Sequence, residues 1–206
     1  MSSAAILMGG EARRFGGRDK SGLLIGDRTI LERQIDELSE IADDILIVGS
    51  RSPAEAGRHV PAGHPVSNVR FIPDRVTGCG PLGGLDAALA AAQSDVLVVV
   101  ACDMPFVTAA FLRHLQASIH GADAVVPRTE RGYHPVCAAY TQACRAAVEA
   151  ALAEHRLSMG ELLKRIRVRV MEAGEIDAFG PRARLLANVN TPAELDELAA
   201  LSSHQL

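Results

Sequence analysis

The sequence has few aromatic residues, no tryptophan and no excess of positive charge. Phe, Trp and Tyr make up 3% of the 206 residues, so the core has to consist mainly of Ala, Leu, Val and Ile. Lys and Arg number 21 against 25 Asp and Glu, a formal net charge of -4. This balance argues against a general nucleic-acid-binding protein, which normally carries a strong basic excess. The composition, 48% hydrophobic and 22% charged, is typical of a globular protein, and the length predicts a single domain over residues 1–206.

Long apolar runs and a cysteine framework are also missing. The longest purely apolar run, Val96–Cys102, is far shorter than the roughly 20 residues of a membrane-spanning helix, and the N-terminus lacks the features of a signal peptide. We therefore predict a cytoplasmic location and no membrane partner. Four cysteines without a C-x-x-C pair indicate buried free thiols rather than disulfides or a zinc site. They are Cys79, Cys102, Cys137 and Cys144.

Short apolar runs alternate with helix-like segments along most of the chain. The runs predicted to be buried strands are Ala4–Met8, Ile45–Val48, Val69–Ile72, Val96–Ala101 and Ala124–Val126. Strands that alternate with helices imply an α/β fold, a mostly parallel sheet covered on both faces. In such sheets ligands bind at the carboxyl ends of the strands, so the residues that follow each run are the candidates for a functional site.

Helix signals fill the spaces between these strands. Thr29 followed by Glu32 is a capping-box pattern, and Thr108 has the residue type that caps a helix. The last predicted helix starts at Thr191, with Pro192 in its first turn. Further helices are predicted over Gly83–Ala92 and Gln142–Glu154. The apolar positions that repeat on the inner faces of the first two capped helices are Leu31, Ile35, Leu38, Phe111, Leu112 and Leu115.

A glycine-rich, basic loop follows the first predicted strand directly. Glycine lets the backbone approach a ligand closely, and exposed N–H groups in such a loop can cradle anionic oxygens. The loop matches neither the P-loop pattern nor G-x-G-x-x-G. Four cations within eight residues of a net acidic chain favour anion binding over a loop of solvated arginines, because they would repel one another without an anion. The glycines are Gly9, Gly10, Gly16 and Gly17, and the cations are Arg13, Arg14, Arg18 and Lys20.

Two carboxylates follow predicted strands. Asp103 ends the apolar run that starts at Val96, a place where it can hold Mg²⁺ together with substrate phosphate; capping of the following turn is the alternative. Asp74 follows the strand that ends at Ile72 and precedes the glycine-rich segment Gly78–Gly84. That segment would let a nucleobase or ribose lie against the backbone, or would serve helix packing with its small residues.

Two asparagines stand near the C-terminus. Asn188 and Asn190 alternate along a predicted strand and so share one face, where two amides can meet polar ligand groups; turn hydrogen bonds are the alternative. Two other segments have plainer interpretations. Lys164–Val170 alternates basic and apolar residues, which predicts a strand with a solvated face. Arg131–Pro135 predicts a hairpin turn, or else places Tyr133 or His134 near a substrate.

Taken together, these segments closely resemble one family, the molybdenum cofactor guanylyltransferases. The resemblance spans nearly the entire chain and rests on the order of five motifs. They are Gly9-Gly10 through Asp19-Lys20, Gly80-Pro81-Leu82-x-Gly84, Cys-Asp103-x-Pro105, His134-Pro135 and Asn188-Val-Asn190-Thr-Pro192. The resemblance implies a Rossmann-like three-layer α/β sandwich of the nucleotidyltransferase type. It also implies transfer of GMP from GTP to the terminal phosphate of molybdopterin or Mo-molybdopterin, with release of pyrophosphate and formation of the guanine dinucleotide cofactor.

The resemblance assigns roles position by position. The matching nucleotide-binding positions are Leu7, Met8, Gly9, Gly10, Gly17, Lys20, Asp74, Gly80, Gly84 and Asp103. The implied catalytic residues are Lys20, Arg14 and Asp103, and Asp103 is the implied Mg²⁺ ligand. Asn188 and Asn190 match positions near the reacting phosphates or the pterin substrate. Molybdenum-insertion proteins and recipient oxidoreductases are the implied protein partners.

The chain departs from the family pattern at two positions. Met8 stands where Ala is usual, and Val48 occupies a position where some members have a nucleotide-contacting Asn. Both concern the pocket that selects the base. The alternatives are therefore a CTP-dependent molybdopterin cytidylyltransferase, another nucleotidyltransferase acting on a sugar or other small molecule, and a non-catalytic carrier of nucleotide or cofactor.

Overall fold

The computed structural model of the chain describes residues 2–8, 23–49, 68–189 and 194. Within these ranges the strands of the main sheet are β1 (Ser3–Leu7), β4 (Asp44–Val48), β5 (Val69–Ile72), β6 (Val96–Ala101), β7 (Ala124–Thr129), β8 (Gly132–Tyr133), β9 (Cys137–Thr141) and β10 (Val168–Met171). The pair β2 (Leu24–Ile25) and β3 (Arg28–Thr29) forms a small separate hairpin.

The helices lie between these strands. They are α1 (Ile30–Ser39), α2 (Gly80–Ala91), α3 (Ala109–Ala117), α4 (Arg145–Ala153), α5 (Met159–Leu163), α6 (Ala173–Ile176) and α7 (Arg182–Leu185). Short 3₁₀ turns cover Gln142–Cys144 and Asp177–Phe179. Among the described residues, no helix combines the length and the apolar character needed to cross a membrane.

The main sheet is mostly parallel, as predicted. Its order is β10-β7-β9-β6-β1-β4-β5, with β8 paired to β7. Strand β1 is parallel to both β4 and β6, β5 is parallel to β4, and β10 is parallel to β7. Strand β9 lies antiparallel between β6 and β7. The α/β class is confirmed, whereas a single domain over residues 1–206 stays a prediction.

Two apolar layers cover the two faces of this sheet. Side chains alternate along a strand, so Ala4 and Ile6 of β1 face one layer, with α1 and α3. Ala5 and Leu7 face the other layer, with α2 and α4. The predicted inner positions of α1 and α3 are all buried, including Leu31 and Phe111. These layers make the three-layer sandwich.

The predicted caps are present. The Thr29 hydroxyl accepts the backbone N–H of Glu32, and the Glu32 carboxylate accepts the N–H of Thr29. Thr108 caps α3 through the N–H of Phe111. Helix α2 begins at Gly80, earlier than predicted, because Pro81 suits the first turn of a helix. The helix predicted from Thr191 lies outside the described residues, apart from Glu194, which is helical.

Two strand predictions near the C-terminus need correction. The strand predicted over Lys164–Val170 is confirmed only for its last three residues, which belong to β10. Helix α5 ends at Leu163 with Lys164 as its C-cap, and the N–H of Arg165 donates to the Leu162 carbonyl in a turn, so the strand begins only at Val168. Asn188 lies in an irregular segment after α7, not on a strand. There the N–H of Val189 donates to the Asp103 carbonyl in the loop after β6, and Asn190, the other asparagine of the predicted strand, lies outside the described residues.

The cysteines are free thiols, as predicted. Cys102, Cys137 and Cys144 are buried, while Cys79 is only partly buried. Burial raises the pKa of Cys137 to about 12 and that of Cys144 to about 11. Because the thiolate is the reactive form, these two groups are structural.

Candidate active site

The carboxyl ends of four parallel strands form one continuous edge. The N–H of Cys102 donates to the Leu7 carbonyl at 3.1 Å, and the N–H of Met8 donates to the Val48 carbonyl at 2.7 Å. The N–H of Gly49 donates to the Ile72 carbonyl at 3.1 Å. The ends of β6, β1, β4 and β5 are therefore tied side by side, and the residues that follow them share this edge.

Asp103 and Asn188 meet at this edge although 85 positions separate them in the chain. The Asn188 amide Nδ2 donates to Asp103 Oδ1 at 3.1 Å. The backbone N–H of Val189 donates to the Asp103 carbonyl at 2.8 Å. Asp103 is partly buried and Asn188 is exposed, so this carboxylate–amide pair is open to a ligand. Asp103 and Asn188, which were predicted as site residues from separate motifs, are therefore in direct contact.

A buried glutamine holds the loop that carries Asp103. Gln34 of α1 is only 1% exposed, and its Nε2 donates to the carbonyls of Ala101 at 2.7 Å and Met104 at 3.0 Å. This residue was not predicted from the sequence. The available signal was its polar side chain on the apolar face that α1 presents through Leu31 and Leu38.

Asp74 lies at the same edge but apart from Asp103. Three inter-strand steps separate β5 from β6, which is about 14 Å at the usual strand spacing. Burial raises the pKa of the Asp74 carboxyl above its ordinary value, so a ligand that donates hydrogen bonds here would offset the cost of its desolvation. Only an extended ligand can contact both carboxylates, and a nucleoside triphosphate has that shape.

The two predicted glycines of α2 have different structural reasons. Gly80 opens the helix with φ +57°, a left-handed conformation that favours glycine. At Gly84, an added Cβ would lie 3.3 Å from the Leu7 side chain. Helix–strand packing thus accounts for Gly84, and a nucleotide contact of either glycine stays a prediction. The first turn of α2 presents N–H groups towards the same edge, where anions are stabilised.

Met8 and Val48 lie next to each other at the middle of the edge. Met8 is partly buried, and an added Cβ on Gly49 would come within 2.8 Å of the Met8 Cβ, so glycine is required at that place. Val48 is 1% exposed and packs in the core. Its side chain therefore offers no group to a ligand, and only its carbonyl reaches the edge.

A cavity of about 280 Å³ lies beside the Asp103 loop. Its lining is Thr129, Glu130, Arg131, His134, Asp177, Pro181, Arg182, Ala183 and Leu186. Leu186 precedes Asn188 by two positions, and the Val136 carbonyl accepts the N–H of Ala101 at 2.8 Å. These connections place the cavity next to the carboxylate–amide pair.

The predicted hairpin turn forms part of the cavity wall, and several polar side chains line the cavity. The turn between β7 and β8 confirms the hairpin, and His134 lines the cavity as well. His134 Nε2 is 2.9 Å from the Thr129 hydroxyl. Burial, with a smaller contribution from Arg131, lowers the pKa of His134, which favours the neutral imidazole on this wall of the cavity. Arg182 is bound to Glu130 and Asp177, which fixes one wall.

Several predicted site residues lie outside the described residues. They are Gly9, Gly10, Arg14, Gly17, Lys20 and Asn190.

The donor set at Asp103 suits a hard divalent cation. Mg²⁺ is usually held by one or two carboxylates together with substrate phosphates and water. Asp103 provides a carboxylate, and the Asn188 amide orients it through one oxygen. Within the described ranges, no group of three or more His, Cys, Asp or Glu side chains is arranged to hold a metal ion.

A family model and similar proteins of other organisms point to one family. A family model described as the MobA-like NTP transferase domain matches residues 4–170. A protein of Pelotomaculum thermopropionicum named "Probable molybdenum cofactor guanylyltransferase" is 31% identical over 194 residues, covering 94% of this chain and 90% of that protein. A Desulfosudis oleivorans protein named "Molybdenum cofactor guanylyltransferase" is 30% identical over 196 residues, covering 95% of this chain and 93% of that protein.

A solved structure gives the same result for the fold. The structure of molybdopterin-guanine dinucleotide biosynthesis protein A from Archaeoglobus fulgidus superposes with a TM-score of 0.78 at 26% identity, covering 98% of each chain. The sheet order, the two helical layers and this match identify a Rossmann-like sandwich of the nucleotidyltransferase type.

Proposed function

Because the chain belongs to the family of MobA-like NTP transferase domains, and is thus a nucleotidyltransferase, we propose that it transfers GMP from GTP to the terminal phosphate of molybdopterin or Mo-molybdopterin. Pyrophosphate is the leaving group, and the product is the guanine dinucleotide cofactor. The observation that carries the proposal is the Asp103–Asn188 pair at the carboxyl edge of the sheet. The guanylyltransferase names of the relatives support the choice of GTP.

The reaction joins two anions, so charge neutralisation and positioning are its main requirements. An oxygen of the acceptor's phosphate monoester forms a bond to the α-phosphorus of GTP, and the bond from that phosphorus to the β-phosphate oxygen breaks. The acceptor phosphate has a second pKa near 6, so it is already ionised at neutral pH and needs no protein base. Mg²⁺ held by Asp103 would supply positive charge at the reacting phosphates. Asn188 keeps the carboxylate in place.

The nucleotide is proposed to extend along the strand edge. Its base and ribose lie towards the end of β5, where Asp74 can accept hydrogen bonds, and its phosphates lie towards β1 and β6. Lys20 and Arg14, with the N–H groups of Gly9 and Gly10, hold the leaving pyrophosphate in this proposal. Val48 is buried, so base selection has to come from other groups at the edge.

The acceptor is proposed to approach Asp103 from the side opposite to the nucleotide. The cavity lined by His134 and Arg182 lies there, and its volume of about 280 Å³ gives room for part of the acceptor's heterocyclic ring system. The neutral His134 and the Thr129 hydroxyl offer hydrogen bonds to the nitrogen and oxygen atoms of such a ring. Molybdenum-insertion proteins and recipient oxidoreductases are proposed as the partners that supply the substrate and take the product.

Pyrophosphate release with GTP, CTP and ATP tests the proposal. We expect Mg²⁺-dependent release with GTP and the molybdenum-loaded pterin, because the similar proteins are named as guanylyltransferases. CTP and ATP at equal concentration are expected to give little release. Release with CTP alone would retain the mechanism and overturn the choice of base. Tight GTP binding without pyrophosphate release in any combination of nucleotide and acceptor would favour the alternative of a non-catalytic carrier.

A further inference from the structure

We propose that Gln34 is a positioning residue for the nucleotidyl transfer, which it supports by fixing the loop that carries Asp103. The inference rests on the proposed function, in which Asp103 holds the metal ion. Gln34 lies beneath the site and contacts no reacting group. Its action passes through the backbone on either side of Asp103.

The contacts of Gln34 bracket the carboxylate. Its Nε2 bonds the carbonyl of Ala101, the last residue of β6, and the carbonyl of Met104, directly after Asp103. The N–H of Met104 also returns to the Ala101 carbonyl at 3.2 Å. One amide group thus closes the turn in which Asp103 stands. Movement of either carbonyl would shift the direction of the Asp103 side chain.

The same helix holds the other segments around the site. Glu37, one turn further along α1, accepts the N–H of Ala109 at 2.6 Å, which fixes the far end of the segment that follows Asp103. The N–H of Ile30 donates to the Leu23 carbonyl at 3.0 Å, which holds the chain three residues after Lys20. Helix α1 therefore bonds both the segment around Asp103 and the chain at Leu23.

The side chain of Gln34 lowers the stability of the fold, and core packing does not explain why a glutamine stands at this position. Its Oε1 is buried and has no hydrogen-bond partner within the described part of the chain. A buried unpaired polar atom is destabilising, and an aliphatic residue on this face of α1 would avoid it. The two hydrogen bonds that Nε2 donates offset part of this loss, and both hold the Asp103 loop.

A matched control stands at the opposite end of β6. Gln142 also bridges two carbonyls with its Nε2, those of Leu89 at 2.9 Å and Ser94 at 3.4 Å. Its N–H bonds the Asp95 carbonyl, next to the first residue of β6. Replacing Gln142 therefore removes a similar pair of hydrogen bonds at the edge of the sheet away from Asp103.

The test compares Gln34→Met with Gln142→Met. Mn²⁺ binding is measured by electron paramagnetic resonance in the presence of an α,β-methylene analogue of GTP, and turnover is measured separately with GTP and Mg²⁺. We expect Gln34→Met to weaken Mn²⁺ binding and to lower kcat, each by about 10- to 100-fold. The KM for GTP should change far less than kcat, and Gln142→Met should match the wild type.

The outcomes are distinct from those of the proposed function. Equal Mn²⁺ affinity in Gln34→Met and wild type, an equal loss in both variants, or a wild type that binds no Mn²⁺ would each overturn the role of Gln34. If the wild type shows no guanylyl transfer, the Mn²⁺ titration still decides whether Gln34 positions the loop. If Gln34→Met does not fold, Gln34→Asn provides the same comparison, because its shorter amide cannot bridge both carbonyls.

Discussion

An Asp103→Asn variant is expected to turn over GTP about 1,000-fold more slowly than the wild type, or slower still, since charge stabilisation is the largest part of such catalysis. The substitution keeps the size of the side chain and removes its negative charge. Asn188, which donates to Oδ1 at 3.1 Å, would then face a weaker acceptor, and a metal ion would lose its carboxylate ligand. Initial rates of pyrophosphate release at saturating GTP over a range of Mg²⁺ concentrations measure the effect.

The control for this variant is Asp95→Asn. Asp95 is exposed and stands just before β6, at the edge of the sheet away from Asp103. Loss of its charge should leave the rate close to that of the wild type. A normal rate in Asp103→Asn at low Mg²⁺ would remove Asp103 from the metal site.

An Asp44→Ala variant is expected to lose about 3 kcal/mol of unfolding free energy. The Asp44 side chain is buried, and its carboxylate accepts Nε of Arg70 at 2.7 Å and Nη2 of Arg70 at 2.9 Å. The Ser3 hydroxyl donates to it at 3.0 Å. These bonds tie together β1, β4 and β5. Because the Arg70 side chain is 38% exposed, water compensates part of the loss, which sets the expectation at the low end for a buried pair.

The same ion pair predicts a pH dependence. Burial alone would raise the pKa of Asp44, but hydrogen bonds from Arg70 and Ser3 outweigh it, and the net pKa lies below the ordinary value. The stabilisation is therefore complete above the unfolded-state pKa of about 3.9, and it is lost as the pH falls through the lower folded-state value. Asp44→Ala should lack this part of the acid sensitivity.

Urea unfolding between pH 3 and 7 measures both effects. Glu149→Ala is the matched control, because Glu149 pairs with Arg145 on an exposed face of α4. Exposed pairs contribute at most about 1 kcal/mol. Equal stability losses in the two variants would contradict the structural role of Asp44.

Local patterns predicted much of the fold. The bounds of β5 and β6 match the predicted runs, and the Thr29–Glu32 box stands where the pattern placed it. These features depend on neighbours in the chain. The apolar run around Cys137 is strand-like, and it is part of β9. The antiparallel place of β9 between β6 and β7 was not predicted, because it depends on pairings remote in sequence. The alternation in Lys164–Val170 predicted the strand correctly only from Val168 onward. Lys164 and Arg165 lie in the turn after α5, where they pair with Glu161 and Glu154.

Part of the site was predictable as well, namely the residues whose position depends on the adjacent strand in the chain. Asp103 and Asp74 follow apolar runs, so their place at the strand edge could be inferred from the sequence. The contact between Asp103 and Asn188 depends on the segment after α7 folding back, and spacing alone predicted a strand there. Gln34 belongs to an ordinary amphipathic helix, and its role emerges only from the two carbonyls it reaches.

Tracing the phosphates of GTP tests the central claim most directly. GTP labelled with ³²P at either the α or the γ position is incubated with Mg²⁺ and the molybdenum-loaded pterin, and the products are separated. Guanylyl transfer predicts that the α-label enters the pterin product and the γ-label appears in pyrophosphate. The γ-label in inorganic phosphate with no α-label on the pterin, or no redistribution of either label, would contradict the account.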